Sequence, residues 1–95
     1  MPQYLRLLMV CGPPDQVTLA AEEHAVQLER LRAEGRLRLA GEFANGDGFV
    51  EILDVEDLHE AERLTRASPL VERGLTSWLL REWTERTSSA GDDSN

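Results

Sequence analysis

The chain has 95 residues, of which 41% are hydrophobic, and a net charge of −8 at pH 7. This length corresponds to one domain, and folding at this size buries only roughly 60–65% of the surface of the unfolded chain. Dimerisation would bury further apolar surface and would therefore stabilise such a domain. The acidic excess argues against a protein that binds nucleic acid or an anionic membrane.

The basic residues and the cysteine exclude further classes of protein. Every basic residue is arginine, so Schiff-base and P-loop mechanisms have no lysine to use. Cys11 is the single cysteine, which excludes an internal disulfide and a cysteine-rich zinc site. No apolar run reaches the ~18–20 residues of a membrane span, and the first residues lack a signal-peptide pattern. We therefore expect a cytoplasmic protein without a membrane partner.

Residues 3–11 predict a first strand that is apolar on both faces. One face carries Leu5, Leu7 and Met9, and the other carries Tyr4, Leu8 and Val10 with Arg6 among them. A strand of this kind must be covered on both sides. The glycine and prolines of 12–15 then end it.

Residues 18–34 have the period of an amphipathic helix. The stripe that faces the core consists of Ala21, His24, Ala25, Leu28 and Leu31. Asp15 or Thr18 is the candidate N-cap of this helix, and Gly35 lies where a C′ glycine is expected.

The next segment predicts a β-hairpin over residues 36–55. Leu37 and Leu39 alternate with arginines in its first strand, which runs to Phe43, and Phe49 begins the returning strand. The connection contains both Asn-Gly and Asp-Gly, which favour tight turns.

The remaining part of the domain predicts a second helix and a last strand. Asp57 and Glu60 have the capping-box spacing at the start of the helix. Ser68 and Pro69 end it, and Pro69 begins one short further turn. Residues 75–83 then predict the last strand.

The predicted domain covers residues 1–83. Residues 84–95 contain no apolar anchor, so we expect a disordered acidic tail there. The order of the elements is β-α-β-β-α-β, the split βαβ or ferredoxin-like α+β arrangement. Right-handed crossovers place both helices on one face of a four-stranded antiparallel sheet.

This arrangement leaves the other face of the sheet bare. The first and last strands are apolar on both faces, and an exposed apolar sheet marks an interface. We therefore expect two copies of the chain to pack through their open sheet faces as a homodimer.

Residues spread over both halves of the chain resemble the YCII-related (YciI-like) family. In the first half the resemblance rests on His24-Ala25-Val26-Gln27-Leu28, Leu31, Gly35-Arg36-Leu37 and Leu39-Ala40-Gly41. In the second half it rests on Glu60-Ala61, on Ser68-Pro69-Leu70-Val71-Glu72-Arg73-Gly74-Leu75 and on Trp83. The resemblance covers residues 3–83.

The resemblance implies a dimeric α+β barrel, in agreement with the topology derived from the pattern. It also implies a small pocket in which a His paired with an Asp acts as an acid–base dyad. In a characterised relative such a dyad serves an elimination on a chlorinated hydroxyquinone. His24 stands at the family's His position, whereas Ser68 stands in place of the Asp and Glu42 in place of a Pro.

These positions give the candidate site residues. His24 is the candidate proton acceptor or donor, because an imidazole exchanges protons near pH 7. Ser68 keeps a hydrogen bond to the imidazole without the charge, and Glu42 is the candidate carboxylate that compensates. Arg6 is the candidate contact for an anionic or phenolic substrate. The alternatives are a structural His24 bonded to the backbone or to Ser68, and an Arg6 at the rim that pairs with an acidic neighbour.

The sequence therefore predicts a small-molecule enzyme of elimination or isomerisation type, and it implies no metal, nucleotide or flavin. The alternative is a non-catalytic module of the same fold that binds a ligand or supports dimer assembly, because the dyad Asp is missing. A carboxylate within hydrogen-bond distance of His24, together with a cavity beside its ring, would favour the enzyme.

Overall fold

The computed structural model describes residues 1–86, which form four strands and three helices. In chain order these are β1 Gln3–Val10, α1 Pro14–Ala33, β2 Leu37–Glu42, β3 Gly48–Asp54, α2 Leu58–Arg66, α3 Pro69–Glu72 and β4 Thr76–Trp83. Most of the predicted tail, residues 87–95, lies outside the described residues. No helix in the described part of the chain is long and apolar enough to cross a membrane.

The strands form one antiparallel sheet in the order β2-β3-β1-β4. β1 therefore lies between β3 and β4, and the connections from β1 to β2 and from β3 to β4 contain the helices. The predicted ferredoxin-like α+β fold is confirmed. It could be derived because the period of 2 in the strands and the period of 3.6 in the helices are both local patterns.

Both long helices pack on the same face of this sheet, which we call the helix-covered face. One apolar cluster joins them to the sheet through Tyr4, Leu31, Leu37, Leu53, Val55, Ala61, Leu64 and Leu80. A second apolar cluster lies toward the start of α1 and consists of Leu8, Val17, Ala20, Phe49, Leu70 and Leu75. Along β1, β3 and α1, the residues between these two clusters are polar.

The first helix begins at Pro14, earlier than the predicted start at Thr18. A proline is tolerated in the first turn because the N–H groups there have no partner within the helix. Neither predicted N-cap is used: Pro13 occupies the N-cap position without a side-chain cap, Asp15 lies in the first turn, and Thr18 donates to the carbonyl of Pro14.

The start of the second helix agrees with the prediction. The Asp57 carboxylate accepts a hydrogen bond from the backbone N–H of Glu60 at 2.9 Å. The Glu60 carboxylate in turn accepts from the backbone N–H of Glu56 at 2.9 Å. Two N–H groups that the helix cannot satisfy thus obtain side-chain partners.

The predicted alternation in β2 is wrong after its first residue. The register shifts between Leu37 and Leu39, so Leu37 lies opposite Leu53 in the core whereas Leu39 lies opposite Ile52. Leu39 is accordingly 51% exposed. An irregularity of this kind moves every later side chain of a strand to the other face. The tertiary pairing, and not the local pattern, sets this register.

The second face of the sheet carries no helix, and we call it the open face. It presents apolar side chains from all four strands: Leu5, Leu7, Met9, Leu39, Val50, Ile52, Leu79 and Trp83. Leu39, Leu79 and Trp83 are among the exposed large hydrophobic residues. The expected homodimer remains a prediction that rests on this face.

Candidate functional site

The first helix places His24 in the interior. Its buried residues are Val17, Ala20, His24, Gln27 and Leu31, a spacing that lines up one side of a helix. His24 is 1% exposed and lies between the two apolar clusters. The imidazole therefore has to find its hydrogen-bond partners within the protein.

The two central strands place an arginine and a glutamate beneath this helix. Arg6 in β1 and Glu51 in β3 are direct partners in the antiparallel register. Both side chains are fully buried, and the Arg6 Nε donates to the Glu51 Oε1 at 2.8 Å. Each buried charge thus obtains an opposite charge, without which burial would be very costly.

His24 is held from two sides. Its Nε2 lies 2.9 Å from the Glu51 Oε2, and its Nδ1 lies 2.9 Å from the Ser68 Oγ. Ser68 is the N-cap of α3, where its Oγ also accepts from the backbone N–H of Leu70 at 3.3 Å. The ring is therefore fixed between β3 and the start of a helix.

The charge on Glu51 determines the tautomer of the neutral imidazole. Burial by itself raises the pKa of the Glu51 carboxyl, but the hydrogen bond of His24 and the charge of Arg6 outweigh it, so its pKa is below the ordinary value of 4.5. An ionised carboxylate only accepts hydrogen bonds, so the His24 Nε2–H donates to Glu51. The Nδ1 then accepts from the Ser68 hydroxyl.

Gln27 extends this arrangement to the second helix. The Arg6 Nη2 lies 3.5 Å from the Gln27 Oε1. The Gln27 Nε2 donates to the carbonyl of Leu64 in α2 at 3.1 Å. The Arg6 Nη1 is buried without a hydrogen-bond partner among the described residues. We call the residues Arg6, His24, Gln27, Glu51 and Ser68 the buried polar cluster.

A cavity of about 280 Å³ lies beside the His24–Glu51 pair. Its walls come from α1, β2 and β3, namely Ala21, His24, Ala25, Leu28, Ala40, Gly41, Glu42, Phe49 and Glu51. The ring of Phe49 lies 5.7 Å from that of His24, centroid to centroid. Small apolar walls with a few polar groups at one point are typical of a small-molecule site. This volume lies near the lower end of the usual range of about 300–1,000 Å³.

The structure brings together some of the predicted site residues and not others. His24 and Ser68 are in contact. Glu42 lines the same cavity but is exposed, and the carboxylate that contacts the imidazole is Glu51 instead. Arg6 is neither at the rim nor in the cavity wall, because its guanidinium is buried behind Glu51. It pairs with an acidic neighbour, as the alternative interpretation held, but it cannot contact a substrate in this position.

Glu51 and Gln27 are the cluster residues that the sequence analysis missed. A signal for Glu51 was present, because a single carboxylate interrupts the apolar run Phe49–Leu53 at a position whose alternation places it on the covered face. Arg6 interrupts β1 in the same manner. Two opposite charges in neighbouring core strands predict a buried ion pair. Nothing local distinguishes Gln27 from a solvent-facing residue.

The second histidine and the single cysteine lie outside the buried polar cluster. His59 and Cys11 are both exposed. Within residues 1–86, no three His, Cys, Asp or Glu side chains group in a way that could hold a metal ion.

Comparisons with known proteins point to one family. A model of the YCII-related domain matches residues 7–84. YjpA, an uncharacterized protein of Bacillus subtilis (strain 168), is 34% identical over 80 residues, which are 84% of this chain and 92% of YjpA.

Two solved structures share the fold at low sequence identity. The 5-chloro-2-hydroxyhydroquinone dehydrochlorinase TftG of Burkholderia phenoliruptrix AC1100, in complex with 2,5-dihydroxybenzoquinone, has a TM-score of 0.70 at 17% identity, covering 87% of this chain and 95% of its own. SnoaB, a cofactor-independent oxygenase of Streptomyces nogalater, has a TM-score of 0.51 at 17% identity, covering 90% of this chain and 93% of its own. Both neighbours are small-molecule enzymes.

Proposed function

The chain belongs to the YCII-related family, and we propose that it is a small-molecule enzyme that transfers a proton through the His24–Glu51 pair. The reaction is an elimination or an isomerisation on a cyclic or aromatic substrate. The observation that carries this proposal is the 2.9 Å contact between the His24 Nε2 and the Glu51 Oε2 at the wall of a cavity. Ser68 stands in place of the Asp that the family resemblance implies, and Glu51 provides His24 with a carboxylate in its stead.

The proton enters this pair at Glu51. Both ring nitrogens of His24 already have partners, whereas an ionised carboxylate offers about four lone-pair positions and Glu51 uses two of them. A proton taken from the substrate then resides on Glu51, because the His24 Nε2 already carries a proton and donates it to the carboxylate. Its affinity belongs to the pair and not to either residue alone.

The residues behind the pair keep it ready for this role. The guanidinium of Arg6 favours the ionised carboxylate. The hydroxyl of Ser68 can donate to a neutral His24 or accept from a protonated one. An ionised carboxylate at this position could only accept. Arg6 and Ser68 are therefore positioning residues, since they act through the pair and do not line the cavity.

The comparison with TftG supports the choice of reaction. A dehydrochlorination removes a proton and a chloride from its substrate, so an enzyme for it needs a proton acceptor beside a small pocket. The present chain has an acceptor of this kind in a similar fold. The cavity is of a size that fits one ring.

The test is proton exchange on a panel of cyclic ketones, hydroquinones and chlorohydroquinones in D2O, followed by proton NMR and chloride release. We expect at least one compound to exchange or lose chloride about 10²–10⁴-fold faster with the native protein than with His24→Gln, because the general base Glu51 contributes in this range only while the His24 Nε2–H holds it in position. Glu29→Gln, which removes a carboxylate that is 77% exposed on the same helix as His24, serves as the matched control.

Arg6→Met combined with Glu51→Met removes the carboxylate of the pair and keeps the interior neutral. This double variant should lose the same activity while still folding. Equal rates for the native protein and His24→Gln across the whole panel would overturn the proposal. Binding of panel compounds without any exchange or chloride release would favour the non-catalytic module instead.

A further inference from the structure

A second cavity continues the first toward the β2–β3 connection. It has a volume of about 550 Å³ and lies between the beginning of α1 and residues 45–47. Ala21, Glu42 and Phe49 line both cavities. We call the cavity at His24 the inner cavity and this one the outer cavity. A ligand larger than one ring can therefore extend from the inner cavity past Glu42 into the outer one.

The charges on the walls of these cavities are all of one sign. Glu51 lies at the inner cavity, Asp47 at the outer cavity and Glu42 at both. None of the arginines in the described part of the chain lines either cavity. A ligand that carries a carboxylate or phosphate would meet only negative charge, whereas a cation would be attracted.

Of these carboxylates, Glu42 is the one placed to hold a ligand. Glu51 already has Arg6 and His24 as partners, whereas Glu42 forms no ion pair with any residue in 1–86. Its backbone is fixed in β2, directly opposite Phe49 in the register. Glu42 and Glu51 are diagonal neighbours on one side of the β2–β3 pair, a relation that separates such residues by roughly 7–8 Å.

Phe49 adds a second feature that suits a cation. Phe49 lines both cavities and lies opposite Glu42 in the register, and an aromatic ring attracts a positive charge that approaches its face within about 6 Å. A carboxylate and an aromatic side chain at the boundary of two cavities together suit an ammonium group. The apolar walls of the inner cavity would take the ring to which the ammonium group is attached.

We propose that the substrate is a ring compound bearing a protonated amine, with the ring in the inner cavity and the ammonium group between Glu42 and Phe49. This inference rests on the proposed function, since it names the class of molecule presented to the His24–Glu51 pair. Glu42 is then a specificity-determining residue and not the partner of His24. The same placement rejects carboxylate-bearing and phosphate-bearing rings of equal size.

The test compares three probes that share a phenylethyl group and differ in the end group: 2-phenylethylamine, 2-phenylethanol and 3-phenylpropionate. At pH 7 the amine is protonated, because an alkyl ammonium group loses its proton only near pH ~10. Dissociation constants are measured by NMR titration of the native protein, with the His24 ring signals as reporters. We expect the amine to bind several-fold more tightly than the alcohol, and the carboxylate to bind most weakly, as for an ion pair whose carboxylate is exposed to solvent.

Two variants test whether Glu42 is responsible for the preference for the amine. Glu42→Gln should reduce the ratio between amine and alcohol to near one, whereas Glu72→Gln, which removes an exposed carboxylate outside both cavities, should leave the ratio unchanged. Equal affinities for amine and alcohol in the native protein, an unchanged ratio in Glu42→Gln, or no binding of any probe at millimolar concentration would each overturn the inference.

The result can be separated from that of the proton-exchange experiment. If exchange depends on His24 but the amine has no advantage, the proposed function stands and the substrate class is wrong. If the amine is preferred through Glu42 but His24→Gln exchanges at the native rate, the site binds cations and the proposed proton transfer is wrong.

Discussion

The two faces of one sheet differ in what they bury. The helix-covered face buries an arginine, a histidine and a glutamate between two apolar clusters. The open face carries apolar side chains from the same four strands and leaves Leu39, Leu79 and Trp83 exposed. For stability alone, the reverse distribution would be expected. We therefore propose that the charged interior serves proton transfer and that the apolar exterior packs against a second copy of the chain.

The charges of the covered face are paired with one another, although the Arg6 Nη1 has no hydrogen-bond partner among the described residues. Arg6 balances Glu51, and Glu51 and Ser68 together satisfy both nitrogens of His24. Removing one member leaves the others buried and unpaired, whereas removing an opposite pair restores neutrality. The open face has no such interdependence, since each of its side chains contributes apolar area on its own.

The largest expected effect comes from breaking the ion pair of the covered face. Arg6→Met leaves the Glu51 carboxylate without its guanidinium, and we expect the free energy of unfolding to fall by about 3–5 kcal/mol. Arg6→Met combined with Glu51→Met removes both charges and should recover at least half of that loss. Urea unfolding of the native protein, both single variants and the double variant measures the coupling between the two sites.

The exposed pair of Arg38 and Glu85 provides the control cycle. Its two hydrogen bonds are both 3.1 Å long, but the side chains are 49% and 42% exposed. Solvent-exposed pairs contribute roughly 0–1 kcal/mol, so the coupling of Arg38 and Glu85 should be several-fold smaller. A coupling energy between Arg6 and Glu51 as small as that of the surface pair would contradict the account of the covered face.

The next effect concerns the open face, through which we propose that the chain forms a homodimer. Leu79→Glu places a charge on the open face in the edge strand β4, directly opposite Leu7 in the register. In a two-fold interface the substitution is present twice, so we expect the dimer to dissociate at least about 100-fold more readily, equivalent to roughly 2.7 kcal/mol. Light scattering over a concentration series gives the mass directly.

Leu19→Glu is the matched variant for this experiment, because Leu19 is 62% exposed on α1 and lies away from the open face. It should leave the dimer intact. The open face is not the interface if the native protein is monomeric at micromolar concentration. The same holds if the Leu19→Glu dimer dissociates as readily as the Leu79→Glu dimer.

The same contrast explains what could be predicted from the sequence. The fold followed from local periods, and the capping box at Asp57 followed from side-chain spacing. The partner of His24 did not, because the contact with Glu51 depends on where α1 crosses β3. Glu42 was a reasonable candidate and does lie at the cavity, but the irregularity after Leu37 decides which β2 side chains face α1. Register and helix placement are tertiary properties that no short motif encodes.

The smallest expected effect is the pH dependence that Glu51 alone contributes to stability. Its pKa in the folded protein is below the ordinary value of 4.5, so folding favours the ionised form. The resulting stabilisation is fully present above pH 4.5 and is lost as the pH falls through the lower pKa of the folded state. The contribution of one carboxyl changes by no more than about 1.4 kcal/mol per pH unit. We therefore measure it as a difference between the native protein and the Arg6→Met, Glu51→Met variant.

The two proteins share all their other carboxyl groups, whose titration cancels in the difference. Below pH 4.5 the difference in unfolding free energy should shrink as Glu51 becomes protonated. A difference that is flat down to pH 3, or that grows on acidification, would mean that Arg6 and His24 do not hold Glu51 ionised. The tautomer assigned to His24, and with it the entry of the proton at Glu51, would then lose its physical basis.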